Sequence, residues 1–284
     1  MAGKTIALLH PGEMGAAVGA CLVAAGHRVV WASERRSDAT RARAAALEDR
    51  GSLESALAGA AVALSVCPPH GATALARTVA AAGYRGIFVD CNAVAPETAR
   101  KTGAVVEAAG ARFVDGGIIG PPPAQAGRTR LLLSGSAAAE VAALFAGSRL
   151  EALALDAPAG AASAVKACYA AWTKGATALL AAIRALARHE GVEAALLEEW
   201  QRSQPEATKR SEAVTVQARK AWRWVGEMEE IARAFRAAGL PEGFGLAGAE
   251  LYRSLERFKD AGRDPTLDEV TAAISRTKAT SRDA

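Results

Sequence analysis

The chain has few cysteines, and their spacing does not suit a paired function. Its 284 residues include only four, and these lie far apart with no C-x-x-C pair: Cys21, Cys67, Cys91 and Cys168. Such spacing argues against a zinc site and a disulfide scaffold and is typical of a reducing compartment. We therefore predict no metal ion, and we expect each cysteine to be a small buried apolar residue.

Long hydrophobic runs and a signal peptide are also missing. Lys4 is followed at once by a short strand, and the longest apolar stretch, around Ala176–Ile183, is too short to span a bilayer. The arginines scatter along predicted helices without clustering with aromatic residues, which argues against nucleic-acid binding. We expect a cytoplasmic protein with no membrane or nucleic-acid partner, whose net charge of +4 suits an anionic cofactor or substrate.

The first glycine of a dinucleotide fingerprint is absent as well, because His10 occupies its place in G-x-G-x-x-G. The rest of the pattern is present: an apolar strand, a glycine turn and an alanine-rich helix follow one another directly. A helix start of this kind presents free N–H groups to a pyrophosphate. We predict that Pro11, Gly12, Glu13, Met14 and Gly15 bind a cofactor, the alternative being an ordinary strand-to-helix turn.

Short apolar runs alternate with helical segments as far as Asp156, which predicts a doubly wound α/β domain with a parallel sheet covered on both faces. The predicted strands are Thr5–Leu9, Arg28–Ala32, Val62–Cys67, Ile87–Asp90, Arg112–Asp115, Arg130–Ser134 and Leu150–Leu155. The predicted helices are Glu13–Ala25, Asp38–Asp49, Gly71–Ala82, Pro96–Ala109 and Ala137–Ala146.

The second half contains no convincing strand. Its first helix, Ala161–His189, is so long and apolar that we expect it to be buried nearly all round, at a domain junction and in a dimer. Further helices are predicted at Glu193–Ser203, Glu206–Arg219, Trp222–Ala238, Gly245–Lys259 and Asp268–Ser275, and Lys278–Ala284 is expected to fray. We predict a Rossmann domain over residues 1–157 and an all-α substrate and dimerisation domain over residues 158–284, joined by the long helix.

Ligands of an open parallel sheet bind beyond the carboxyl ends of its strands. At the second strand end, Ser33 stands where an Asp would bind the ribose hydroxyls of NAD, and Arg35, Arg36 and Ser37 follow. This cluster favours the 2′-phosphate of NADP. Glu34 could bind the ribose instead, so NAD stays possible, and a solvated charge run at a helix start is the alternative to both.

The next two strand ends add cofactor candidates. Cys67, Pro68 and Pro69 follow one strand, and Asn92 follows another in the loop from Asp90 to Pro96. Asp90 and Asn92 have two interpretations: they position the nicotinamide ribose or a substrate group, or an Asx-Pro turn accounts for much of this loop.

The chain resembles the β-hydroxyacid dehydrogenase family, which includes 3-hydroxyisobutyrate and 6-phosphogluconate dehydrogenases and, more distantly, imine reductases. The segments that carry the resemblance are Pro11–Gly15, Asp90–Pro96, Asp115–Gly120 and Gly160–Lys166, while Trp222–Glu230 looks like the C-terminal domain of a poorly characterised subgroup. The resemblance covers essentially the whole chain. It implies a nicotinamide cofactor, a small-molecule substrate and a homodimer formed through the helical domain.

The resemblance implies that Lys166 is the catalytic residue. The matching lysine of the family acts on the substrate oxygen, and an ammonium there would stabilise an alkoxide and donate the proton. The alternative is a lysine that reaches to the surface. Tyr169 could be a second proton donor or a buried helix tyrosine. Glu227 and Glu230 could act as acids or bind a cationic substrate, or they could lie on a solvated face.

The substrate positions depart from the family pattern. The segment after the fifth strand, where Gly117, Ile118 and Ile119 are our substrate-binding candidates, has Ile119 in place of a serine and Pro121 in place of a glycine. Ala170 replaces an asparagine that usually pairs with the lysine, and Gly226 replaces a later lysine. These changes predict a more apolar substrate pocket than that of a small-hydroxyacid enzyme.

The sequence therefore predicts an NADP-dependent oxidoreductase that acts on a small carbonyl/hydroxyl pair, with Lys166 as acid and base. Two alternatives stay open. The first is an imine reductase, which an apolar pocket and Glu227 would suit, although an ammonium at Lys166 would repel an iminium. The second is a non-catalytic NADP-sensing protein.

Overall fold

The computed structural model describes residues 3–275, so the predicted fraying of Lys278–Ala284 lies outside the described residues. The chain divides into two compact units after Ala167. The boundary predicted at residues 157/158 falls ten residues earlier, because the first turns of the long helix are bound to the α/β unit.

The first unit alternates strands and helices. Its strands are β1 (Thr5–Leu9), β2 (Arg28–Trp31), β3 (Glu48–Asp49), β4 (Val62–Ser65), β5 (Ile87–Asp90), β6 (Arg112–Ile119), β7 (Thr129–Ser134) and β8 (Leu150–Ala154). Its helices are α1 (Glu13–Ala24), α2 (Asp38–Arg43), α3 (Leu53–Leu57), α4 (Ala72–Ala81), α5 (Pro96–Ala108) and α6 (Ala138–Ala142). The predicted doubly wound α/β architecture is confirmed.

One sheet of eight strands organises this unit, in the order β3-β2-β1-β4-β5-β6-β7-β8. The sheet is mostly parallel, as predicted, and the exception is that β7 runs antiparallel to β6, with Gly117 opposite Leu132. The carboxyl ends of β1, β2, β4, β5 and β6 lie along one edge of the sheet, because these strands are mutually parallel.

The central strands are buried on both faces, as near-continuous apolar runs require in a parallel sheet. Ile6, Leu8 and Leu64 pack on one face, while Leu9, Ala63 and Phe88 pack on the other. This alternation fixes the register of the strands, since a one-residue shift would exchange the two faces.

The segment 38–49, predicted as one helix, contains a short helix and a strand. Helix α2 ends at Arg43, and β3 pairs with β2, with Asp49 opposite Trp31. Ser37 caps α2 through its hydroxyl, which accepts a hydrogen bond from the N–H of Thr40. Ser52 caps the additional helix α3, which the sequence did not predict, by accepting from the N–H of Ser55.

The second unit is helical. It holds most of α7 (Ala161–His189), followed by α8 (Glu193–Ser203), α9 (Pro205–Gln217), α10 (Trp224–Ala237), α11 (Gly243–Ser254) and α12 (Leu267–Ser275). The predicted all-helical region after a long helix is confirmed. The predicted helix Gly245–Lys259 is shorter, because α11 ends at Ser254, and Trp222 precedes α10 in a short 3-10 helix.

Helix α7 is not buried nearly all round within a single chain, and the predicted burial of its exposed side in a dimer stays a prediction. Trp172, Leu179 and Leu186 are more than 60% exposed, and they recur every seven residues along one stripe of the helix. The prediction that every cysteine is buried also fails at Cys168, which is exposed on this helix. Among residues 3–275, no helix is both long enough and apolar enough to cross a membrane.

Candidate functional site

The turn between β1 and α1 leaves the N-terminus of α1 open, and the predicted residues Pro11–Gly15 all lie here. Gly12 is the N-cap, with no side-chain hydrogen bond to the helix. A Cβ built at Gly12 would meet nothing within 4 Å. Because the first N–H groups of a helix lack intrahelical partners and carry the positive dipole end, this turn fits the pyrophosphate of a dinucleotide.

His10 takes the backbone conformation of the glycine that it replaces, with φ at +65°. Its carbonyl accepts a hydrogen bond of 2.8 Å from the N–H of Gly12. The same carbonyl lies 2.6 Å from where a Cβ of Gly15 would stand, so residue 15 must be glycine for α1 to start here. The turn therefore has the backbone geometry of the glycine fingerprint, although residue 10 is a histidine.

The His10 ring lies within range of the charge of Arg36, from the loop after β2. Burial, and to a lesser extent the charge of Arg36, lower the pKa of His10 to about 4. Burial likewise lowers the pKa of Arg36. Nδ1 of His10 and Nε of Arg36 are both buried, and neither has a hydrogen-bond partner among residues 3–275. Two such nitrogens thus follow adjacent strands; Nε of Arg36 is a donor, and Nδ1 of His10 is a donor in one of its two tautomers.

Ser33 follows β2, where the sequence lacks the carboxylate of an NAD site. The structure supplies a carboxylate from β3, because the hydroxyl and the N–H of Ser33 both bind Asp49 and lower its pKa. Asp49 also accepts a 2.8 Å hydrogen bond from the N–H of Gly51. Asp49 could not be predicted from the sequence, because its segment has a helical pattern and reaches Ser33 only through the pairing of β3 with β2.

Glu34, the alternative ribose ligand in the sequence, binds a backbone N–H group of this chain instead. Its carboxylate accepts a 3.1 Å hydrogen bond from the N–H of Leu53 at the start of α3. Arg35 is exposed with φ at +55°, whereas Arg36 is half-buried. Arg36 is therefore the cation held at this strand end, and Ser37 beside it is the N-cap of α2.

Asn92 ties the ends of β4 and β5 together. Its Oδ1 accepts from the N–H of Cys67 at 2.5 Å, and its Nδ2 donates to Ser65 Oγ at 2.9 Å. Its own N–H donates to Asp90 at 3.0 Å, so the side chain of Asp90 forms an Asx turn in this loop. Pro68 and Pro69 follow Cys67, and burial raises the pKa of the Cys67 thiol to about 11.

The segment after Asp115 is strand, where the sequence predicted a loop. Strand β6 continues to Ile119 because β7 pairs with it, so Gly117, Ile118 and Ile119 lie on this strand. Beyond Asp115, β6 extends past the end of β5, since Asp115 is opposite Asp90. Ile118 and Ile119 are buried in two different core clusters, so their side chains pack inside the protein.

A buried carboxylate anchors the start of α7. Asp115 accepts hydrogen bonds from the N–H groups of Gly160 (3.0 Å) and Ser163 (2.9 Å), and from the Ser163 hydroxyl at 2.5 Å. The Ser134 hydroxyl also donates to Asp115 and accepts from the N–H of Ala162, both at 3.0 Å. A carboxylate at a helix N-terminus satisfies free N–H groups and opposes the dipole.

Lys166 lies one turn after this anchor, half-exposed and within the first unit. Its Cβ lies 3.1 Å from the position that a Cβ of Gly117 would take, and the Ala162 carbonyl lies 2.8 Å from that position. The absence of a side chain at residue 117 thus lets α7 approach β6 closely. Lys166 is held beside the extended end of β6, on the same unit as the glycine turn.

Tyr169 and Glu227 belong to the second unit. Tyr169 is 44% exposed, so its interpretation as a buried tyrosine is wrong. Glu227 is buried and hydrogen-bonded to Lys174, so the solvated face suggested for Glu227 is also wrong, as it is for the buried Glu230.

The ion pair of Lys174 and Glu227 lies beside two aromatic residues. The Trp224 ring lies 5.6 Å from Nζ of Lys174, and the hydroxyl of the buried Tyr252 donates to the Lys174 carbonyl at 2.6 Å. Lys174 and Glu227 are 53 positions apart, which explains why sequence spacing did not reveal the pair.

Comparison with known families gives two matches. Residues 5–146, which are 142 of the 284 residues, match the NAD binding domain of 6-phosphogluconate dehydrogenase. Residues 187–255 match a domain of unknown function, DUF1932. No curated protein matches the chain significantly.

Solved structures of similar proteins extend over nearly the whole chain. MTH1747, a conserved protein of unknown function with structural similarity to 3-hydroxyacid dehydrogenases, is 26% identical, with 90% of this chain and 100% of that chain covered and a TM-score of 0.68. Mycobacterium tuberculosis 3-hydroxyisobutyrate dehydrogenase with L-serine is 22% identical, with coverages of 98% and 100% and a TM-score of 0.68. A reductive aminase from Aspergillus terreus in complex with NADPH and ethyl levulinate is 21% identical, with coverages of 97% and 99% and a TM-score of 0.56.

The similarities to the 3-hydroxyisobutyrate dehydrogenase and to the reductive aminase show that both proteins share the fold of this chain. The family match covers half of the chain and includes the open glycine turn and the ends of the parallel strands. The chain belongs to the β-hydroxyacid dehydrogenase family of NAD(P)-dependent oxidoreductases.

Proposed function

We propose that the chain is an NADP-dependent oxidoreductase that interconverts a carbonyl and a hydroxyl group in a small substrate, with Lys166 as proton donor and acceptor. The observation that carries this proposal is the position of Lys166 beside Gly117. The Asp115 anchor fixes the helix start one turn before the lysine. A side chain held in this way acts from a preset position, as proton transfer requires.

Bound nicotinamide supplies a hydride in reduction and accepts one in oxidation. Lys166 donates its proton to the substrate oxygen as the carbonyl is reduced, and the neutral amine takes the proton back in the reverse direction. Its positive charge also stabilises the developing alkoxide before the proton moves.

The preference for NADP rests on the strand end after β2. Arg36 is held there, while the Glu34 carboxylate is bound to the N–H of Leu53. A guanidinium can bind a phosphate through two parallel hydrogen bonds. Gly12 and the open start of α1 hold the pyrophosphate in the same proposal, and Asn92 shapes the neighbouring Cys67 loop.

A homodimer formed through the helical unit is part of the same proposal. The stripe of Trp172, Leu179 and Leu186 presents apolar side chains at a seven-residue spacing, which suits helix packing against a second copy of this chain. An apolar cavity of about 770 Å³ lies beside it, lined in part by Phe235 and Phe244. Leu179→Glu should convert a dimer to monomer in sedimentation, and an unchanged mass would refute this interface.

The test of the proposed function is a substrate panel with NADPH and NADH, followed by Lys166→Ala. β-Hydroxyacids, aldehydes and cyclic imines would be assayed in turn. Lys166→Ala should lower kcat by roughly 100-fold or more with unchanged cofactor affinity, whereas the exposed Lys209→Ala should leave kcat unchanged. Activity that survives in Lys166→Ala would refute the assigned role.

The same panel separates the other interpretations. Turnover of cyclic imines alone would favour an imine reductase, although the Lys174 ammonium already neutralises Glu227, the carboxylate that would attract a cationic substrate. Cofactor binding without turnover of any substrate would favour an NADP sensor.

A further inference from the structure

His10 is an unusual residue for its position. With φ at +65°, it occupies the left-handed region, where a non-glycine side chain is disfavoured unless the surroundings hold it. The neighbouring groups do not explain it as a structural residue, since Nδ1 is buried and has no hydrogen-bond partner. Each buried unsatisfied polar atom in a native fold calls for an explanation.

Arg36 has the same deficiency at the end of the adjacent parallel strand. Its Nε is also buried without a partner, and the two side chains lie close enough for the charge of Arg36 to act on His10. Two buried nitrogens without a hydrogen-bond partner among residues 3–275, one of them on a guanidinium, are costly in the protein alone. An anion placed there would accept from both, and it would also offset the positive charge of Arg36.

The geometry points to His10 as a specificity-determining residue: with Arg36 it binds the 2′-phosphate on the adenosine ribose of NADP(H). This inference rests on the proposed use of NADP and adds a residue that the dinucleotide fingerprint would have as glycine. The imidazole donates one hydrogen bond to a phosphate oxygen, and the guanidinium donates the others. NADH lacks this phosphate, so it gains nothing from His10.

The test uses two ligands that differ only in the 2′-phosphate, adenosine 2′,5′-bisphosphate and 5′-AMP, titrated calorimetrically against the full chain. His10→Gly suits the test because glycine adopts the same φ without strain. It should weaken binding of the bisphosphate roughly tenfold or more, the effect of one hydrogen bond to a charged group, and change 5′-AMP binding less than twofold. His10→Asn, which also tolerates this φ but has a shorter side chain, should fall between wild type and His10→Gly.

The controls separate this inference from the proposed function. His189→Asn removes an exposed histidine from the far end of α7 and should change neither affinity. If wild type prefers the bisphosphate, Arg36→Ala abolishes the preference and His10→Gly keeps it, then NADP use stands and the role of His10 is refuted. Equal weakening of both ligands by His10→Gly also refutes it, because the effect then lies outside the 2′-phosphate. A wild type without preference would overturn the NADP proposal itself, and His10 with it.

Discussion

The carboxylate of Asp115 accepts hydrogen bonds from both the backbone N–H and the hydroxyl of Ser163. Asp115 is fully buried on the central sheet, and Ser163 lies in the first turn of α7. The contact therefore fixes the start of the helix that carries Lys166 relative to the strand that carries Gly117.

Ser163→Ala tests the strength of this anchor. It removes the 2.5 Å hydrogen bond from the hydroxyl and leaves one oxygen of a buried carboxylate with fewer donors. We expect the free energy of unfolding to fall by about 2 kcal/mol. Chemical denaturation measures it, and Ser203→Ala, which removes an exposed helix hydroxyl, should change stability by less than about 0.5 kcal/mol. Equal effects would show that the anchor adds no stability.

Gly117→Ala tests the close approach of β6 and α7. The new Cβ would lie 2.8 Å from the Ala162 carbonyl oxygen, so the backbone of one element must shift. We expect a loss of about 1–3 kcal/mol of stability and a lower kcat, because Lys166 moves with α7. Gly175→Ala in the same helix is the control, since its Cβ meets nothing within 4 Å and should stabilise the helix by about 1 kcal/mol. An unchanged kcat in Gly117→Ala would separate this contact from catalysis.

A double-mutant cycle on Lys174 and Glu227 tests whether their pair is structural. Lys174→Met leaves the carboxylate of Glu227 buried beside a neutral side chain, and we expect a loss of about 3 kcal/mol. Adding Glu227→Gln should restore part of that stability, because the buried charge is gone. Thermal and chemical unfolding measure the cycle. If Glu227→Gln instead raises KM for substrate at unchanged stability, Glu227 binds substrate, as its sequence position first suggested.

The pH dependence of unfolding should reveal His10. Its folded pKa of about 4 lies below the value near 6.5 of an unfolded chain, so the unfolded state binds the proton more readily. The stability associated with the neutral ring is therefore complete above pH 6.5 and is lost as the pH falls towards 4. Because the ring is only partly buried, we expect a loss of about 2 kcal/mol. His10→Asn should flatten this part of the profile, and an identical slope in the variant would contradict the shift.

The fold could be predicted from the sequence in those segments whose local pattern determines their secondary structure. Strands β1 and β5 and helices α7 and α8 have the predicted bounds, because continuous apolar runs and uninterrupted helical periodicity leave no competing structure. The segment 38–49 was mispredicted because β3 forms only by pairing with β2, a contact that local propensity does not reveal. The antiparallel β7 extends β6 to Ile119 for the same reason.

The candidate site could likewise be predicted only where its residues are close in sequence. The glycine turn could be predicted, since Gly12 and Gly15 act within one strand–helix unit. The Asp115 anchor, the Asp49 carboxylate at Ser33 and the Lys174–Glu227 pair could not, because each joins residues that are distant in sequence and near only in the fold. The sequence indicated the residue types of the site, and tertiary contacts determined which of them meet.

The left-handed conformation of His10 has a further consequence for protein engineering. A β-carbon in this region is disfavoured by roughly 1–2 kcal/mol, so His10→Gly should raise the melting temperature of the free protein. A screen for thermal stability alone would then select glycine at position 10, and a screen for use of the cofactor would keep histidine. Stability and function are expected to favour opposite residues at this single position.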